Sequence, residues 1–305
     1  MSAEIIKRKD RRSQTAAFLD SSRKRVYDFF MPGQSVRLPA VAGRFYPARV
    51  ETLSRDLDSY LAGEANAAGI VERAMGCVVP HAGYMYSGHV AGAVYRRLPP
   101  RRSYIILGPN HFGRGAPLAM MSEGAWLTPL GEAAVDAELG RALRKACPLV
   151  SEDSAAHAEE HSLEVQLPFL QRWVGGFTFL PVSIGVGGYA ALESLGRGVA
   201  QTVAAQAEPS LIIASSDMNH YEADGITRVK DRKAIDRILA LDPQGLYDVL
   251  RREDISMCGY GPTVALLTAA KELGAKFAEL VKYATSADTG GDRSAVVGYA
   301  GIIVS

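Results

Sequence analysis

Nine side chains of this 305-residue chain are soft or borderline metal donors, six His and three Cys, few enough to weigh one by one. Three of the histidines fall in the same kind of place. The run GCVVP leads into His81, YIILGPN into His111 and LIIASSDMN into His220. Each follows a short apolar run that reads as a buried strand, in a loop rich in Gly, Pro, Asn or Asp. In open α/β sheets, ligands and chemistry collect beyond the carboxyl ends of the strands. If the three strands are parallel neighbours, the imidazoles converge at one sheet edge. The alternative is three separate loop histidines making local hydrogen bonds. Asp217 precedes His220 in SSDMNH, a spacing that suits a carboxylate orienting an imidazole, or a general acid/base couple.

Cys258 sits in MCGYGP, a glycine-rich turn just before a helical pattern. A thiol at a helix N-terminus is biased toward thiolate, the form that binds metal or attacks electrophiles. Cys77, inside an apolar strand, reads as a small core residue, and Cys147 precedes Pro148 at a helix end with no partner in view. In PHAGYMYSG (80–88), Pro80 stiffens the approach to His81, while Tyr84 and Tyr86 either wall a pocket or belong to the core. His89 falls in the first turns of a helix and reads as structural. A competing motif, His157-Ala-Glu-Glu-His161, matches the HxxEH pattern of zinc peptidases, provided the segment is helical. It leaves the strand-end histidines unexplained. Glu160, His161 and Glu164 would also share a helical face, forming one wall of the same site or a satisfied polar cluster.

Positioning these residues requires strands that alternate with helices. The strand patterns are Met75–Val79, Tyr104–Leu107, Phe177–Ile184, Leu211–Ala214 and Val296–Val304. Helical patterns cover Leu53–Ala62, His89–Leu98, Ala133–Cys147, Leu163–Val174, Leu192–Ala207, Thr227–Ala240, Pro243–Arg251 and Thr263–Leu273. Ser87 is placed to cap the helix beginning at Gly88–His89, and Pro262 suits the first turn of the helix that follows it. This alternation predicts an α/β fold around a largely parallel or mixed sheet. With no internal repeat, low-complexity tract or Gly/Ser linker, one domain is expected.

Composition narrows the function classes. Apolar residues make up 48% and charged residues 22%, which excludes wholesale disorder. Lys plus Arg total 34 against 33 Asp plus Glu, so no global field draws the chain to nucleic acid or membrane. No run approaches the ~20 apolar residues of a membrane span. The start MSAEIIKRKDRRSQ carries charge where a signal peptide needs an apolar core, and the odd, scattered cysteines include no CxxC pair. A reducing cytoplasm is expected. Residues 1–34 hold eight Lys/Arg against four Asp/Glu, so 1–35 reads as a flexible basic extension and 36–305 as the domain.

Taken together, VRLPAVAGRFYP (36–47), PHAGYMYSG (80–88), LGPNHFG (107–113), EEHSLEVQLPFL (159–170), SSDMNHY (215–221), CGYGP (258–262) and TSADTGGDRSAVVGYAG (285–301) resemble the Memo-like family, called AmmeMemoRadiSam system protein B in prokaryotes. The resemblance implies a three-layer α/β/α sandwich similar to the class III extradiol dioxygenases, with a non-haem metal site. It puts the metal on His81, His111 and Cys258, with Asp217 and His220 lining the same pocket. With metal bound, His220 and Asp217 are placed for catalytic proton transfer or for orienting a ligand, and Glu160, His161 and Tyr84 stay candidates for the pocket wall. The HxxEH pattern is no family feature, so His157 becomes incidental. Two imidazoles and a thiolate suit iron, copper or zinc, whereas ring-cleaving dioxygenases use two His and a carboxylate, a place that Asp217 or Glu160 could fill. The expected activity is metal-dependent redox or O₂-handling chemistry on a small molecule. The alternative is an adaptor that uses the pocket for a peptide or partner. The family name further implies association with a radical SAM protein and an AMMECR1-like protein.

Overall fold

The computed structural model describes residues 35–63 and 68–305, so the expected basic extension lies, but for Ser35, outside the described residues. The strands are β1 (Val36–Arg37), β2 (Gly76–Val79), β3 (Ser103–Pro109), β4 (Leu118–Met120), β5 (Ala125–Thr128), β6 (Gly131–Val135), β7 (Ser151–Glu152), β8 (Thr178–Ile184), β9 (Leu211–Ser215), β10 (His220–Glu222), β11 (Ala278–Thr285) and β12 (Val296–Val304). The helices are α1 (Val50–Ala62), α2 (Tyr84–Tyr95), α3 (Ala137–Ala146), α4 (Leu167–Trp173), α5 (Tyr189–Ala204), α6 (Asp224–Leu239), α7 (Pro243–Arg252) and α8 (Tyr260–Glu272).

Strands β6, β8, β3, β9 and β2 lie side by side and parallel at the centre of the sheet. Antiparallel partners flank them, β5 beyond β6 and β12 beyond β2, and β12 in turn pairs with β10 and β11. The sheet is therefore mixed around a parallel core. Central strands buried on both faces read as unbroken apolar runs, and here alternate residues enter opposite layers. Ile105, Leu107, Leu180, Val182, Ile212 and Ala214 pack against α3, α5, α6, α7 and α8. Tyr104, Ile106, Phe179, Leu211 and Ile213 pack against α1, α2 and α4. The result is the expected α/β/α sandwich.

Local chemistry shifts several element boundaries. Helix α2 begins at Tyr84, upstream of the expected Ser87 cap, because Tyr86 and Ser87 already donate their backbone N–H groups to Gly83 O. Ser87 Oγ instead donates to Ala82 O. The helix expected from Ala133 begins at Ala137: Ala133 belongs to β6, and the Asp136 side chain accepts the N–H groups of Glu138 and Leu139 to start the helix there. Residues 164–166 form a 3₁₀ turn before α4, and Pro262 does lie in the first turn of α8. The α1–α2 crossing is close at Gly92, where a Cβ would overlap the Tyr60 carbonyl oxygen.

Candidate metal centre

His81 and His111 follow the carboxyl ends of β2 and β3, two strands that flank β9. His161 approaches from the loop between β7 and α4. Each of the three offers one ring nitrogen, and those atoms lie within 4.8 Å of one another. The His111 and His161 rings stack at 4.6 Å, while His81 stands edge-on to both. Phe45 packs against the His161 ring at 4.6 Å. The cluster opens into a cavity of about 940 Å³ whose wall also includes Tyr86, Asp217, His220, Tyr221 and Cys258.

Buried carboxylates and amides fix these rings from behind. Glu160, with no exposed surface, accepts the backbone N–H groups of His111 (2.6 Å), His161 (2.9 Å) and Ser162 (2.9 Å), and faces His111 Nδ1 at 2.9 Å. Burial opposes its ionisation, but the His111 contacts and the backbone donors outweigh that and hold the carboxyl at about 2. A proton on His111 Nδ1 is thereby fixed, which leaves Nε2 as the nitrogen free to ligate. His220 is held in the same sense, with Nδ1 2.9 Å from the Ser256 carbonyl oxygen. Burial is the main cause that keeps His81 well below the usual imidazole range, with His161, His111 and His220 adding to it. Burial likewise lowers His161, to about 4. Both rings are neutral donors near neutral pH.

Asp217 and Cys258 complete one side. Asp217 Oδ1 accepts the backbone N–H groups of His81 (2.8 Å) and Ala82 (3.3 Å), which ties the end of β9 to the loop after β2. Cys258 Sγ lies 3.2 Å from His81 Nε2 and accepts the N–H of Asp217 at 3.3 Å. Gly259 permits this approach, since a Cβ there would overlap Ser215 O and the Ser216 side chain. The thiolate bias expected from the helix N-terminus is reversed: burial, then the Asp217 charge, pushes the thiol up.

The structure thus gathers His81, His111, His161, His220, Asp217, Cys258 and Glu160 at one sheet edge. The close cluster comprises three imidazoles, with Cys258 beside His81. Tyr84 is buried in the aromatic layer, its hydroxyl donating to Val165 O, and Tyr86 takes the place on the cavity wall. The HxxEH segment is not helical, so its two histidines do not share a helix face. His157 is fully buried against Trp126, and among the described residues neither of its ring nitrogens meets a hydrogen-bond partner. Sequence reasoning treated His161 and Glu160 as pocket wall; their adjacency in EEHS was the available signal for a carboxylate-backed imidazole. It also passed over Ser215 and Gln166, which lie beneath His81. The donor set fits a metal ion: three imidazoles within reach of one another, backed by acceptors that orient them.

The profile of the Memo-like protein family matches residues 37–303. A MEMO1 family protein of Methanopyrus kandleri is 43% identical over 277 residues, covering 88% of this chain and 98% of that protein. One from Methanosarcina acetivorans is 46% identical over 271 residues, with 88% and 99% covered. One from Pyrobaculum arsenaticum is 42% identical over 276 residues, with 88% and 98% covered.

Proposed function

The chain belongs to the Memo-like family, and from that premise we propose that it is a metalloprotein acting on a small molecule at the carboxyl edge of its sheet. The observation that carries this reading is the His81, His111 and His161 cluster, with its ring nitrogens within 4.8 Å. His81 and His111 hold the ion, with His161 as third donor and Cys258 beside His81 as the thiol that a softer ion would recruit. A bound iron, copper or zinc ion would supply Lewis acidity and, for iron or copper, electron and O₂ handling.

The remaining residues have roles of their own. Glu160 holds His111 in register, and Asp217 fixes the backbone of the His81 loop. His220, with Nδ1 anchored on Ser256 O, can accept a proton at Nε2 from a substrate in the cavity. Tyr86 and Tyr221 add aromatic surface to the cavity wall, each still open to solvent. The layered sheet with its site at the strand ends supports kinship with the class III extradiol dioxygenases, and three free cysteines support a reducing, cytoplasmic setting. Association with a radical SAM protein and an AMMECR1-like protein is proposed on the family resemblance alone. A second reading, a cleft that binds a peptide without turnover, is favoured by the exposed Tyr221 and Tyr86 on the cavity wall.

Elemental analysis of protein purified anaerobically without chelator tests both readings. Wild type is expected to carry near-stoichiometric metal; His81→Ala and His111→Ala are expected to lose most of it, His161→Ala less, and Cys258→Ser least. Equal metal in all five proteins overturns the proposal. A metal-free wild type with an intact fold favours the peptide cleft.

A further inference from the structure

Beneath His81, three polar groups compete for one hydroxyl in a place with no exposed surface. Ser215 Oγ lies 2.6 Å from Ser162 O, 2.8 Å from Gln166 Nε2 and 2.9 Å from His81 Nδ1. A hydroxyl has one proton to donate and two lone pairs. Ser162 O is a carbonyl and can only accept, so it takes the proton. The orientation of the Gln166 amide is fixed independently: Nε2 lies 3.0 Å from Pro80 O, which can only accept, and Oε1 receives the Tyr95 hydroxyl at 2.9 Å. Gln166 therefore donates to Ser215 and occupies one lone pair. The other lone pair can only receive a donor, and the group facing it is His81 Nδ1.

We infer that Gln166 and Ser215 are a positioning pair that holds His81 as its Nδ1–H tautomer and so aims the Nε2 lone pair at the three-histidine cluster. The assignment rests on the metal-centre reading for its purpose, though not for its geometry. Its logic matches that at the neighbouring rings, where Glu160 faces His111 Nδ1 and Ser256 O faces His220 Nδ1. Three different acceptors, a hydroxyl, a carboxylate and a backbone carbonyl, impose one tautomer on three histidines. Without Ser215 the opposite tautomer of His81 has acceptors waiting: Cys258 Sγ at 3.2 Å from Nε2 and an Asp217 oxygen at 4.0 Å. A proton on Nε2 would block the ligating position.

The test uses the full chain labelled with ¹⁵N-histidine and stripped of metal, with long-range ¹H–¹⁵N spectra to identify which nitrogen of His81 is protonated. Zinc affinity is measured on the same proteins by competition with a chromophoric chelator. Wild type is expected to show His81 protonated on Nδ1. Ser215→Ala is expected to populate the Nε2–H form and to bind zinc about 10–100-fold more weakly, the usual cost of losing a group that orients a ligand. Gln166→Met, which keeps the Ser215 hydroxyl, is expected to lose less. A wild-type ring protonated on Nε2 overturns the inference, as does a folded Ser215→Ala that keeps the wild-type tautomer. A shifted tautomer with unchanged zinc affinity overturns the link to the cluster. If wild type binds no zinc, the metal reading falls while the spectra still decide the tautomer. If Ser215→Ala fails to fold, the wild-type spectrum and Gln166→Met decide it.

Discussion

Replacing Glu164 by glutamine should cost this protein about 3–5 kcal/mol, because four donors converge on that one buried carboxylate. Oε2 accepts from Arg37 Nη1 at 2.6 Å and Ala40 N at 2.8 Å, and Oε1 from Val41 N at 3.1 Å and Tyr46 OH at 2.6 Å. Glutamine keeps the shape but turns one oxygen into a donor. Its NH₂ must then face either Arg37 and Ala40 or Val41 and Tyr46. The second choice is milder, since the Tyr46 hydroxyl can rotate to accept, yet Val41 N stays orphaned and the Arg37 guanidinium loses its counter-charge. Arg37 cannot escape to water. It also donates to His157 O at 2.7 Å and Glu160 O at 2.6 Å, and lies 4.1 Å over Trp126. Leaving one member of a buried pair uncompensated typically costs that amount, which for a domain of this size lowers Tm by about 10 °C. Urea titration of wild type, Glu164→Gln, Arg37→Met and the double variant is the assay. The double variant should lose less than the sum of the singles, because it removes both charges together. A Glu164→Gln loss below about 1 kcal/mol, outside any range for a buried pair, would refute the reasoning.

Other consequences are equally open to measurement. Burial lifts the Asp231 carboxyl to about 7 from its ordinary 3.8, against hydrogen bonds from Tyr283 and Asn219. Its folded value lies above its unfolded one, so the stability it provides is complete below about pH 4 and lost as pH rises through 7. Asp231→Asn should therefore gain on wild type across that window, by about 2–4 kcal/mol at pH 8 in chemical denaturation, and a pH-independent difference would contradict this. His157→Leu removes two unpartnered buried nitrogens and should be neutral or stabilising by about 1 kcal/mol, with zinc binding intact; loss of zinc would revive the HxxEH reading. Gly92→Ala should destabilise by about 1–3 kcal/mol in the same assay, since α1 and α2 must part at Tyr60, and an unchanged midpoint would show that the crossing yields.

The sheet edge was legible from sequence, because strands buried on both faces leave unbroken apolar signatures. His81 and His111 were found for that reason. The short strands β4 to β7 were not, because pairing rather than apolar pattern defines them; β7 is two exposed residues. Ala133 was read into a helix since nothing local separates it from the amphipathic run that Asp136 starts. The Memo-like motifs pointed to Cys258 as a ligand, while the closeness of His161 to the other rings depends on Glu160 gathering three backbone N–H groups from two loops. Spacing does not reveal such a convergence. Nor could the tautomer of His81 be read, since it depends on counting the protons of Ser215, whose partners lie far apart in the chain.

The place of β12 in the sheet bears on how the protein is born. Ile302, Ile303 and Val304 pair with Val78, Cys77 and Gly76, so the strand next to the one that leads into His81 comes from the opposite end of the domain's sequence. During synthesis β2, β3, β8 and β9 leave the ribosome first and wait with one edge of β2 unpaired. Cys258 and its helix also follow long after the first two histidines. The three clustered histidines are all made early, but the cavity around them cannot close on a partial chain, because Cys258, Val297 and Tyr299 of its wall come late. The pocket takes its final shape only once the late strand has closed that gap.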